Sequence, residues 1–66
     1  MEIVINGTPH QLPDDASLER AVQLISSAAT GVAVAVNGDV VRRASWPDTP
    51  LAAGDQVEVL TAVQGG

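Results

Sequence analysis

The chain has 66 residues, 45% of them apolar and 17% charged, with no cysteine and one histidine. A single domain of this size buries only about 60% of the surface its unfolded chain exposes, which leaves little room for an enclosed catalytic cavity. The net charge of −5, from 8 acidic residues against 3 basic ones, excludes the basic footprint a phosphate backbone requires, and the missing thiols exclude disulfides and a cysteine zinc site.

Residues 2–6 are rich in β-branched side chains and read as a strand. Asn6-Gly7 follows, and both residue types tolerate the positive φ that a type I′ hairpin turn requires. The returning strand, 8–12, carries Pro9; lacking an amide donor, it belongs at a sheet edge. Pro13-Asp14-Asp15-Ala16 is turn chemistry. Ser17 suits a helix N-cap, its hydroxyl accepting from a first-turn amide, and Glu19 complements the helix dipole. Leu18, Ala21, Val22, Ile25 and Ala29 recur at helical spacing and predict one apolar face. Gly31 is placed to end the helix in a left-handed conformation.

Val32-Ala33-Val34-Ala35-Val36 predicts a strand near the sheet centre, its valines facing the helix and its alanines less buried. Asn37-Gly38 is a second hairpin signal, and 39–43 return. Residues 44–53, with Trp46, Pro47 and Pro50, predict a long connection with one short helical turn. Trp46 reads as a plug for the core edge or as an interface anchor; Arg42 and Arg43 read as solvated charges at a strand end. Gly54-Asp55 is another turn, and 56–62 form the last strand. A hairpin, a crossing helix and a second set of strands describe an α+β domain: a mixed sheet of about five strands covered on one face by one helix.

The N-terminal residues form no signal peptide, and the longest apolar run is far too short to span a bilayer, so a cytoplasmic protein is expected. The usual catalytic constellations are missing. There is no cysteine nucleophile, serine elbow or glycine-rich phosphate loop, and His10 stands alone. What remains is the terminus, Ala62-Val63-Gln64-Gly65-Gly66. Two final glycines let backbone approach backbone closely and leave the terminal carboxylate unhindered, which suits a chain end inserted into a narrow channel of another protein. In the last strand, alternation puts Val57, Val59 and Thr61 on one face and Glu58, Leu60 and Ala62 on the other. With the valines against the helix, Leu60 and Ala62 lie on the open sheet face beside the chain end, where they suit partner docking.

Val34-Ala35-Val36-Asn37-Gly38, Val40-Val41, Arg43, Trp46, Thr49, Leu51, Gly54-Asp55, Val57-Glu58, Ala62-Val63 and the final Gly65-Gly66, with Ile3, Asn6 and Gly7 near the start, resemble the ThiS family, the sulfur carriers of thiamine biosynthesis. The likeness spans the chain. It implies a ubiquitin-like β-grasp fold over 1–66, with 63–66 a flexible C-terminal tail, and a carrier rather than an enzyme. It also implies that an E1-like adenylyltransferase, ThiF, adenylates Gly66. Sulfur from a cysteine desulfurase system then gives a C-terminal thiocarboxylate, and thiazole synthase, ThiG, consumes that sulfur. On this reading Gly65, Gln64, Val63, Leu60 and Ala62 contact partners. This chain binds no cofactor, and ATP and magnesium belong to the activating enzyme. Arg42 stands where the family often has proline. Two alternatives share the fold: the small sulfur-carrier subunit of molybdopterin synthase, whose chains are usually longer and richer in phenylalanine, and a non-catalytic β-grasp interaction module. Use of the same terminus to modify other proteins is a further possibility.

Overall fold

A computed structural model of the chain describes residues 1–25 and 31–61, Thr61 through its backbone. Its elements are β1 (Glu2–Ile5), β2 (Thr8–Gln11), α1 (Leu18–Ile25), β3 (Val32–Val36), β4 (Asp39–Val41), a 3-10 segment (Arg43–Asp48) and β5 (Gln56–Thr61). The strands form one sheet in the order β2-β1-β5-β3-β4. β1 and β5 run parallel at its centre, with Val4 opposite Gln56 and Ile5 opposite Val57. The other neighbours are antiparallel. A chain whose first and last strands meet in the middle, with a helix crossing one face, has the β-grasp topology that the resemblance implies.

Both hairpins form through the residues that announced them. Asn6 and Gly7 have φ of 51° and 81°, and Asn37 and Gly38 have 50° and 88°. Positive φ at both central residues gives the turn a twist that matches the flanking strands. At Gly38 it is this backbone conformation, not crowding, that calls for glycine: an added Cβ would meet nothing within 4 Å. The strand bearing Pro9 lies at the edge, as its missing donor requires.

The core lies between the sheet and α1. Ile3 and Ile5 of β1, Val34 of β3, and Val57 and Val59 of β5 are buried on one sheet face, against Leu18, Ala21 and Val22 of the helix. Leu12, Ala16, Trp46 and Leu51 close the edges of this cluster. Trp46 is only 5% exposed, and its indole N–H donates to the Val41 carbonyl at 2.9 Å. A buried indole needs such an acceptor. Trp46 is therefore the core plug of the two readings, not an exposed anchor. It sits on the expected helical turn, a 3-10 segment that begins one residue after Arg42.

The structure corrects two details of the helix. The first-turn amide of Leu18 donates to the Thr49 carbonyl at 2.8 Å, that of Arg20 donates to the Ser17 main-chain carbonyl at 3.1 Å, and no amide donates to the Ser17 hydroxyl among the described residues. Residues 49–51 run alongside the helix start, where Ser17 and Pro50 form an isolated bridge, so a distant main-chain carbonyl does the capping. Ile25, expected on the apolar face, is 40% exposed, because the buried stripe of the described helix is Leu18, Ala21 and Val22. Ala29 lies outside the described residues. Gly31 has the left-handed φ expected of it, 73°.

Candidate functional site

β5 carries the end of the chain, so the site is built on it. As the central strand it is held on both sides. Against β3 it pairs from Val36 opposite Val57 to Val32 opposite Thr61. Against β1, the Val4 amide donates to the Asp55 carbonyl at 3.0 Å and the Asn6 amide to the Val57 carbonyl at 2.9 Å. The main chain of β1 then turns away, and the Asn6 side chain continues the contact. Its Oδ1 accepts from the Val59 amide at 2.8 Å, and its Nδ2 donates to the Val59 carbonyl at 3.1 Å.

The start of β5 is held in a similar way from the other hairpin. The Asn37 amide donates to the Gln56 carbonyl at 2.7 Å, and Asn37 Oδ1 accepts from the Gln56 amide at 3.0 Å. Asn37 Nδ2 donates to an Asp55 carboxylate oxygen at 3.1 Å, and the other oxygen of that carboxylate accepts from the Ala52 amide at 2.8 Å. The two Asn-Gly pairs were legible as turns. That both asparagine side chains reach across to the final strand was not, because their partners lie 53 and 18–19 positions away.

The alternation along β5 is as expected. Val57 and Val59 are buried, whereas Glu58 is exposed and Leu60 is 65% exposed on the face away from the helix. Register supplies the neighbours of Leu60. It lies opposite Ala33 of β3, while Ala35 lies between Glu58 of β5 and Val40 of β4. Val40 is 80% exposed. Small alanines between two large apolar side chains form a shallow apolar groove, with Leu60 and Val40 as its walls and the Glu58 carboxylate at its edge. Val40 was not among the residues expected to meet a partner. Its signal was available in the alternation of β4, which puts it on the same face as Ala35.

Of the expected site residues, the structure therefore places Leu60. Ala62, Val63, Gln64, Gly65 and Gly66 lie outside the described residues, as does the side chain of Thr61. Gly66 is five positions along the chain from Thr61, the end of the central strand. Among the described residues no group of three or more His, Cys, Asp or Glu side chains is arranged to hold a metal ion. His10 is half-buried on the edge strand opposite Ile3. Arg42 and Arg43 are exposed, and the ion pair found among the described residues joins the Met1 amine to Asp14 at 3.1 Å. No described helix is long and apolar enough to cross a membrane.

Known proteins share this arrangement. The crystal structure of a thiamine biosynthesis protein (ThiS) from Geobacter metallireducens superposes with a TM-score of 0.81 at 29% identity, over 100% of both chains. An NMR solution structure of a thiamine biosynthesis protein from the same organism gives a TM-score of 0.75 at 30% identity, covering 100% of this chain and 88% of the other. The sulfur carrier protein ThiS of Thermus thermophilus is 36% identical over 62 residues, which is 94% of this chain and 95% of that protein. The sequence profile of the ThiS family matches residues 3–66, from the first core isoleucine to the final glycine, and the chain belongs to that family.

Proposed function

We propose that this chain is a sulfur carrier for the thiazole moiety of thiamine, and that its working group is the main-chain carboxylate of Gly66. One observation carries the reading: the family match runs past the end of β5 at Thr61 and takes in Gly65 and Gly66. The relative from Thermus thermophilus is named a sulfur carrier protein, and it covers nearly the same length.

The chemistry follows from what a carboxylate can and cannot do. A free carboxylate is a poor acyl donor. An E1-like adenylyltransferase of the ThiF type transfers the adenylyl group of ATP to an oxygen of Gly66 and releases pyrophosphate. The resulting acyl adenylate carries a good leaving group. The terminal sulfur of a persulfide supplied by a cysteine desulfurase system then displaces AMP, and a thiol of the partner system reduces the resulting acyl disulfide, which leaves the thiocarboxylate and a disulfide on the partner. Sulfur is the better nucleophile, and the thiocarboxylate delivers it to a thiazole synthase of the ThiG type. Transfer of that sulfur to the product, with an oxygen from the acceptor or from water taking its place on the Gly66 carbonyl carbon, restores the carboxylate, so the chain acts as a co-substrate. Gly65 keeps the approach to Gly66 free of side chains, since glycine allows close backbone contact. ATP and magnesium are bound by the activating enzyme, and the chain works in the cytoplasm with its partners. The apolar groove around Leu60 docks the partner while the chain end enters its active site.

Intact-mass spectrometry tests the reading. The chain is incubated with the activating enzyme, ATP, magnesium and a sulfur source. The expected product has gained the mass of one oxygen-to-sulfur exchange, mapped to Gly66. A chain amidated at Gly66 should gain nothing and support no thiazole formation. Full thiazole formation with the amidated chain refutes the reading. Parallel incubation with a molybdopterin synthase large subunit separates the two carrier pathways.

A further inference from the structure

We propose that Asn6 is a positioning residue for the partner-docking end of β5: its side-chain amide acts as an additional peptide group of β1 and holds the segment that bears Leu60 in place. The proposal rests on Gly66 being the working group. In an uninterrupted parallel ladder, successive bonds from one strand go to alternate residues of its neighbour. Val4 and Asn6 begin such a ladder with their amides on the Asp55 and Val57 carbonyls. The next bond would run from the Val59 amide to the Asn6 main-chain carbonyl. Asn6 has instead entered the hairpin turn at a φ of 51°. Its carboxamide takes over, with Oδ1 on the Val59 amide at 2.8 Å and Nδ2 on the Val59 carbonyl at 3.1 Å.

Only a primary amide one carbon from the backbone fits this place. Aspartate would keep an acceptor but set a carboxylate oxygen against the Val59 carbonyl. Serine lacks the second group, and glycine keeps the turn and loses both bonds. With the amide in place, β5 is supported from both sides as far as Val59, next to Leu60 in the docking groove. Gly66 is seven positions beyond Val59 (66 − 59), a span of about 23–25 Å at full extension. Without the amide, support from the β1 side ends at Val57, and the segment bearing Leu60 is held by β3 alone. A partner must then order that segment as it binds, which raises KM rather than lowering kcat.

The test compares Asn6→Gly with Asn37→Gly. Both preserve a glycine-compatible hairpin and remove a side-chain clasp on β5, but the Asn37 clasp lies at the strand's opposite end, on Asp55 and Gln56. Asn6→Asp is the second variant, because aspartate also tolerates the turn. Amide hydrogen exchange is measured on each full-length chain, together with adenylation kinetics against the activating enzyme below the unfolding transition. For Asn6→Gly we expect at least tenfold faster exchange at Val59, and for both Asn6 variants at least a threefold rise in KM with kcat within twofold of wild type. Asn37→Gly should leave KM within twofold. An unchanged KM in Asn6→Gly overturns the proposal, whether or not Val59 exchange is faster. So does an equal rise in KM for Asn37→Gly, which would mark the effect as general loosening. Failure of the unaltered chain to be adenylated at all is a distinct result, which removes the reading of Gly66 itself.

Discussion

Leu60→Ala tests whether the open sheet face meets the activating enzyme. Leu60 is 65% exposed, so about two-thirds of its side chain remains for a partner to cover. Fully burying a leucine is worth about 1.5–3 kcal/mol, so completing the burial of Leu60 contributes about 1–2 kcal/mol. Each 1.4 kcal/mol is a factor of ten in affinity, so truncation should raise the KM for the carrier about 5- to 30-fold. Leu60→Arg should raise it further, because a charge would be forced into the apolar groove. The fold should tolerate both changes. Ala33 opposite is small, no core contact is lost, and exposed substitutions of this kind stay within about 0.5 kcal/mol of wild type. Pyrophosphate exchange at varied carrier concentration gives the KM, and thermal unfolding checks the fold. Leu24→Arg is the control, since Leu24 is 49% exposed but sits on the helix, on the other side of the sheet. Adenylation of Leu60→Arg with wild-type KM refutes the assignment of this face, and so does an equal loss in Leu24→Arg.

Two further changes probe the body of the domain. Trp46→Ala should destabilise by about 3–5 kcal/mol, since it opens a large cavity and leaves the Val41 carbonyl without its donor, and chemical denaturation will measure it. Arg42→Pro should stabilise by about 0.4–1 kcal/mol, read from the urea midpoint at constant slope. Arg42 already has φ −67° and ψ 144°, its amide donates no bond among the described residues, and Val41 before it is extended.

The proline that the family often carries beside Arg43 is thus compatible with this backbone. Arg42 places one exposed positive charge here on an acidic chain. It lies at the end of β4, two residues from Val40 on the rim of the apolar groove.

Local chemistry was enough for much of this protein. Period-2 alternation in β5 assigned Val57 and Val59 to the core and Leu60 to the open face, because a pleated strand must send neighbours to opposite sides. Asn6-Gly7 and Asn37-Gly38 fixed both hairpins, because few residues accept positive φ twice in succession. The proposal for the terminal carboxylate rests on Gly65-Gly66, read without reference to any fold. Other features depended on residues far apart in the chain. The Leu18 amide finds its acceptor in the Thr49 carbonyl, a contact no local window contains. Val40 joined Leu60 around Ala33 and Ala35 only once the register of three strands was set. The two turn asparagines became clasps on β5 because folding brought Val59 and Gln56 within hydrogen-bond reach. Turns and alternation follow from the steric limits of one short stretch of backbone, whereas caps, grooves and clasps exist only where separate stretches meet.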